Sequence, residues 1–395
     1  MDLASFRLLL TADGQAALEY AQQLEPREVG YLRHFQSLEK RYPRALAQAA
    51  LETAILRAEA RSKYPNPELM YFTRGALEQA SPHQVSAYRC ERFHPCERLV
   101  DLGCSIGSDT FNLARFAPTT GIDTDLLRLA MAQANADALG FAEQIQFVRA
   151  DLTANLPVKC AEQLGLFFDP ARRIGDRRVF SIRDYTPPLN LVKDWLPITR
   201  ALGVKISPGV KVAEITSYDA ELEFISLKGG LKEAVLWFGP LKTAKRRATI
   251  LPGPHTLVAE DSHEPLPLGE PLEYLYEPDP AIIRAGLIAE LGGQLGASQL
   301  DPDIAYLSAE QITQSPFARV WKVENWLPFS VKRLREYLRE RKVGEITVKK
   351  RGSPLRPEDL IRMLHLSGDE QRVVFLTHLK GAPIVIVCFS NQSAA

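Results

Sequence analysis

Long apolar runs are missing from this chain of 395 residues. None reaches the roughly 18 residues that a membrane-spanning helix requires. A basic leader followed by an apolar stretch is missing too, since the sequence starts Met1-Asp-Leu-Ala-Ser, and the expected location is the cytoplasm. Cysteine is scarce and odd in number, at Cys90, Cys96, Cys104, Cys160 and Cys388, which excludes a disulfide scaffold and fits reduced thiols. Cys90 and Cys96 flank His94, but no second ligand pair follows and the 7 histidines are not clustered. No metal is therefore expected. Net charge is also absent, with 48 basic and 48 acidic side chains, so the whole chain carries no electrostatic signature of a nucleic-acid binder. No phosphate-binding P-loop and no Ser-His-Asp set is found, which removes the commonest nucleotidase and hydrolase readings.

What the chain does have is a short apolar run, Arg98-Leu-Val100, followed by Asp101-Leu-Gly103-Cys-Ser105-Ile-Gly107-Ser-Asp109 and a helix-like segment to Phe116. Strand, small-residue turn and helix is the order that builds a nucleotide site at the edge of an α/β sheet. Gly103 and Gly107 permit the tight turn and leave room for a ligand against the backbone. The spacing D-x-G-x-S-x-G differs from G-x-G-x-x-G, so a pyrophosphate is not the natural ligand. An acidic strand end suits amines and hydroxyls instead. Further strand-like runs end in Asp123, 22 residues after Asp101, and in Asp151 and Asp169, and a fifth spans Leu202 to Pro208. A carboxylate about 20 residues past the turn is placed to accept from ribose hydroxyls. Asp125, just before an amphipathic segment ending at Leu139, reads as a helix cap. Helical patterns between the early strands predict a parallel sheet with ligands at its carboxyl ends.

These residues resemble the class I S-adenosylmethionine-dependent methyltransferases over roughly residues 76–250. The resemblance implies a Rossmann-like α/β core with a seven-stranded mixed sheet and S-adenosyl-L-methionine as cofactor. It implies that Asp101, Gly103, Ser105 and Gly107 form the turn against the methionine part, that Asp123 binds the ribose, and that Asp151 lies near the adenine amine. Ser105 departs from the family, which usually has glycine there. Asp169-Pro170-Ala171-Arg172 stands where amine-directed members hold the acceptor nitrogen, which makes Asp169, Pro170 and Arg172 the candidate catalytic residues. The aromatic that usually completes that motif is absent. Arg172 and Arg173 are suited to clamp a phosphate or carboxylate of the substrate. Upstream, Phe72 to Pro82 resembles the segment that lies over the cofactor in several methyltransferases, with Gln79 and Ser81 as polar contacts. The same residues also read as a helix end followed by a helix capped by Ser81.

The domain reading is an N-terminal helical domain (1–72), the methyltransferase core (73–250), a Pro- and Gly-rich linker (251–271) and a C-terminal α+β domain (272–395). A long helix is expected from Arg44 to Ser62, and Lys228-Gly-Gly230 predicts a hairpin near the end of the core. In the last domain Asp279-Pro280 reads as the start of a helix from Ala281 to Leu291, in preference to a catalytic role for Glu277 or Asp279. Between Arg319 and Arg351 stand eleven Lys or Arg against four Glu, with Trp321, Trp326, Phe329 and Tyr337 interleaved. A helix at Ser330–Lys342 has one strongly basic face. The Lys349-Lys350-Arg351-Gly352 turn and the helix after it resemble the THUMP-like domain found behind methyltransferase cores in a group of bacterial proteins. That resemblance implies RNA contact through Lys349, Lys350 and Arg351. A solvated helix face is the plainer reading of such a run. The combined expectation is methyl transfer to a base of RNA. The alternatives are a non-catalytic RNA-binding or assembly protein that keeps the fold, and a small-molecule methyltransferase.

Overall fold

The structure, a computed structural model, describes residues 1–395 other than 155, 172, 175–176, 179–180, 200, 260–264 and 391–395, with backbone alone for 173–174 and 177–178. The chain forms two compact units, residues 1–222 with 232–243 and residues 223–231 with 244–395. Among the described residues no helix is long and apolar enough to cross a membrane.

The first unit opens with helices α1 (Leu3–Leu9), α2 (Ala12–Gln23), α3 (Tyr31–Glu39) and α4 (Arg44–Ala60). Thr11 caps α2 by accepting from the Gly14 N–H. Helix α4 is rich in alanine and buried on most of its surface, so its neighbours approach closely. Then come α5 (Arg74–Gln79), α6 (His83–Glu91), β1 (Arg98–Leu102), α7 (Thr110–Leu113), β2 (Thr119–Asp123), α8 (Leu126–Leu139), β3 (Ile145–Arg149) and β4 (Leu164–Phe168). Asp125 caps α8 by accepting from the Leu127 and Arg128 N–H groups, as its place in the sequence predicts. Strands β5 (Ala201–Ile206), β6 (Glu221–Leu227) and β7 (Gly230–Phe238) follow. The sheet order in this unit is β3-β2-β1-β4-β5-β7, and most of β6 belongs to the second unit. The first five strands pair in parallel, and β7 runs antiparallel to β5. Strands β4 and β5 are buried throughout, which is why both read as continuous apolar runs.

The second unit adds β8 (Arg246–Leu251) and β9 (His255–Val258), an antiparallel pair. Strand β9 falls within the stretch expected to be linker, and both strands lie beyond the expected seven. The rest of the unit holds β10 (Tyr274–Pro278), α9 (Pro280–Ala285), α10 (Ile288–Leu295), β11 (Ser298–Asp301), β12 (Ile304–Ala309), β13 (Ala318–Pro328), α11 (Val331–Glu340), β14 (Val343–Lys350), α12 (Pro357–Leu364), β15 (Glu370–Leu379) and β16 (Ala382–Phe389). Asp279 caps α9 as expected, accepting from the Ala281 N–H. The single helix predicted over Ala281–Leu291 is two, because Gly286 takes a left-handed conformation (φ 68°) and ends the first. Seven strands form a sheet in the order β11-β12-β10-β13-β16-β15-β14. Along β15, Val373 and Phe375 enter one apolar core while Val374 and Leu376 enter another. Period-two alternation thus covers both faces, one of them by Leu334, Leu338, Leu360 and Leu364 of α11 and α12.

Candidate active site

The carboxyl ends of β1 to β4 surround a cavity of about 510 Å³, within the range of small-molecule sites. Gly103, Ser105, Asp123, Asp151, Asp169 and Pro170 all line it, as does Gln79. The turn after β1 forms its floor. Gly103 has φ 86°, and a Cβ there would sit 3.2 Å from the Asp169 carbonyl. Gly107 has φ 89°, and a Cβ there would meet the Phe111 ring at 2.5 Å. Ser105 also takes a left-handed conformation (φ 51°), at a cost of about 1 kcal/mol for a residue with a Cβ. Asp123 holds it there: its Oδ2 accepts from the Ser105 N–H at 2.9 Å, and its Oδ1 accepts from the Asp125 N–H at 3.0 Å. Asp151 Oδ1 accepts from the Thr153 N–H and hydroxyl, which holds its pKa below the ordinary carboxylate value.

Three predicted contacts lie off the cavity wall: Asp101, Ser81 and Gly107, the last of which ends the turn. Asp101 is 1% exposed and accepts from the Thr110 hydroxyl at 2.6 Å. It supports the turn from beneath. Burial, reinforced by the nearby Asp109 carboxylate, raises its pKa to about 8. Burial would raise Asp109 too, but Arg89 outweighs it and holds that carboxyl below its ordinary value. The proton of this acidic pair therefore rests on Asp101. A raised carboxylate pKa contributes stability in full below the unfolded value of 3.8 and loses it as pH rises through about 8. Asp101→Asn is accordingly expected to gain on the wild type in urea midpoint between pH 4 and pH 8. A constant difference would mean that Asp101 is ionised.

Ser81 is the second departure. It is buried, and its hydroxyl donates to Glu233 at 2.7 Å. It does not cap α6, whose first flanking residue is Pro82 without a side-chain bond. Arg172 lies outside the described residues, and so does the side chain of Arg173.

Four participants were not named as site residues from the sequence. Asp109 lines the cavity. Behind it Arg89, fully buried, pairs with both Asp109 and Glu233. Lys205, on β5, pairs with Asp169 at 2.6 Å. Arg89 and Glu233 sit in ordinary amphipathic patterns and give no signal. Lys205 gives one: a lysine inside an apolar strand has to find a partner.

In the second unit the basic run is largely spent within the fold. Lys349 pairs with Glu277 at 2.5 Å, and Arg351 meets the same carboxylate at 3.6 Å. Arg335 and Arg339 donate to the Met363 and His365 carbonyls at the end of α12, where cations are favoured. Arg341 and Arg372 share Glu324. Lys332, Arg333, Lys342 and Lys350 remain exposed. Of the three predicted RNA contacts, Lys350 is exposed and Lys349 and Arg351 are half-buried.

The cavity fits a nucleoside cofactor without phosphates. Its wall offers carboxylates at two successive strand ends for hydroxyls and an amine, and the backbone cradle at Gly103 would be narrowed by any side chain. Comparison with known proteins agrees. Residues 318–389 match the THUMP domain-like family, and residues 2–60 match a domain family of unknown function. The chain is 34% identical over 341 residues to an uncharacterized S-adenosylmethionine-dependent methyltransferase of Mycobacterium tuberculosis, found in strains CDC 1551 and H37Rv. The match covers 83% of this chain and 92% of the relative. A crystal structure from Porphyromonas gingivalis W83, assigned as a methyltransferase, superposes with a TM-score of 0.74 at 20% identity. It covers 93% of this chain and all of its own.

Proposed function

The chain belongs to the S-adenosylmethionine-dependent methyltransferases, and from that membership we propose that its acceptor is a base in RNA. S-adenosylmethionine supplies a methyl group on a cationic sulfur, and in-line displacement asks the protein mainly for orientation and exclusion of water. In this reading Asp123 accepts from the ribose hydroxyls, Asp151 faces the adenine amine, and Gly103 and Ser105 cradle the rest. Asp169 accepts from the acceptor N–H and Pro170 borders it. Among the described residues no aromatic side chain lines the cavity.

The THUMP-like match at 318–389 carries the RNA part of the proposal, together with the exposed cations Lys332, Arg333, Lys342 and Lys350. Filter binding of total cellular RNA across salt concentrations tests it. Affinity is expected to fall with salt, and each of these four changed to Ala should lower the logarithmic slope by about one. The same RNA should acquire tritium from methyl-labelled cofactor. Binding without salt dependence, and no transfer, would favour a small-molecule acceptor. Lys349→Ala should act differently: it strips Glu277 of its nearer cation and lowers stability more than it lowers RNA affinity.

A further inference from the structure

Lys205 is the one charged residue of β5, a strand buried from Ala201 to Ile206. Parallel pairing sets Phe168 opposite Val204. Asp169 and Lys205 are thus the next residues along neighbouring strands, and their side chains leave the sheet on the same side. Lys205 Nζ meets Asp169 Oδ2 at 2.6 Å. The lysine side chain is 2% exposed and the aspartate 24%. The cation is sealed from solvent while the carboxylate reaches the cavity wall. A second lysine, Lys63, donates to the Leu77, Glu78 and Ala80 carbonyls and so fixes a segment whose Glu78 and Ala80 line the same cavity.

A buried lysine–carboxylate pair adds little net stability, because desolvation roughly cancels attraction and an apolar pair serves as well. Its place beside Pro170 needs another reason. We propose that Lys205 is the positioning residue of the acceptor end. It holds Oδ2 of Asp169, leaves Oδ1, which no described residue engages, to accept, and balances the carboxylate's charge inside the cavity that takes the cofactor. This rests on the assignment of Asp169 to that cavity. The charge balance has a measurable consequence. S-adenosylmethionine carries one positive charge more than S-adenosylhomocysteine, the product left after transfer. An uncompensated carboxylate would hold the charged cofactor in preference to the product.

Calorimetric titration with each compound tests the proposal on wild type, Lys205→Met and Lys205→Arg, with the urea midpoint of each as a fold control. The affinity ratio of cofactor to product should rise about tenfold in Lys205→Met and return to near the wild-type value in Lys205→Arg. An unchanged ratio in a folded Met variant overturns the proposal. Should that variant not fold, Asp169→Asn carries the comparison: it leaves Lys205 uncompensated, and the ratio should fall about tenfold. An unchanged ratio there overturns the proposal equally. Because the readout is binding, failure of the wild type to methylate RNA would sink the RNA proposal and leave this test intact.

Discussion

Arg89→Met is expected to lower the stability of the first unit by about 3–5 kcal/mol, the usual cost of breaking a buried ion pair from one side. The guanidinium is fully buried between Asp109 and Glu233 and lies over the Phe167 ring, 4.4 Å from its centre. Ser86 and Ser81 donate to the same two carboxylates. Burial alone would lower the arginine's pKa, but the two anions outweigh it and raise it above the ordinary value. Without the cation both carboxylates stay buried, and two hydroxyl donors cannot replace its charge. Burial then acts on Asp109 without its main counter-charge, so that carboxyl's pKa rises and the stability it contributes is lost as pH increases. The deficit should therefore be larger at pH 8 than at pH 5. Urea denaturation at the two pH values measures both. A loss under about 1 kcal/mol, or one independent of pH, would show that the network is not the electrostatic centre of this unit. Arg89→Lys should fall between, since one ammonium cannot replace a fork that reaches two carboxylates.

The second large effect is on the cofactor. Asp123→Ala should weaken S-adenosylmethionine binding about 100-fold, the equivalent of losing hydrogen bonds to a charged group. Both oxygens of Asp123 already hold the turn, through Ser105 and Asp125, and each keeps a lone pair for the cavity. The substitution removes the proposed ligand contact and also the bond that holds Ser105 in its left-handed conformation. Asp101→Ala provides the contrast. From the sequence both aspartates are expected to contact the cofactor, but Asp101 faces Thr110 beneath the turn. Its loss should appear mainly in the unfolding midpoint, with cofactor affinity changed by less than about tenfold. Calorimetric titration of both variants separates the cases. Equal loss of affinity in the two would return Asp101 to direct contact with the cofactor.

Much of the core was legible because local rules and tertiary demands coincide there. Asp125 and Asp279 stand before apolar periodic segments and cap them. Gly103 and Gly107 stand where the turn needs positive φ. Strands β4 and β5 read as apolar runs because a parallel sheet covered on both faces leaves them no solvent side. Where a local rule had a rival, the sequence reading failed. Ser81 has the chemistry of a cap, yet Glu233, 152 residues away, offers its hydroxyl a buried carboxylate. Ala281 to Leu291 is periodic enough for one helix, but Gly286 permits a left-handed break that the packing of two short helices uses.

The amino-acid order by itself determined the strand–turn–helix at Asp101 to Asp109 and the acidic strand ends, which follow from short-range spacing and need no knowledge of what lies across the fold; the family and its cofactor were implied by the resemblance those residues carry. Tertiary structure alone decided which charges are free to act. It turned Asp101 inward and Asp123 outward, and joined Lys205 to Asp169. It set Arg89 between Asp109 and Glu233, and it tied Lys349 and Arg351 to Glu277. The physical reason is that a buried charge must be paired, and its partner is fixed by strand register and packing between residues far apart in the chain.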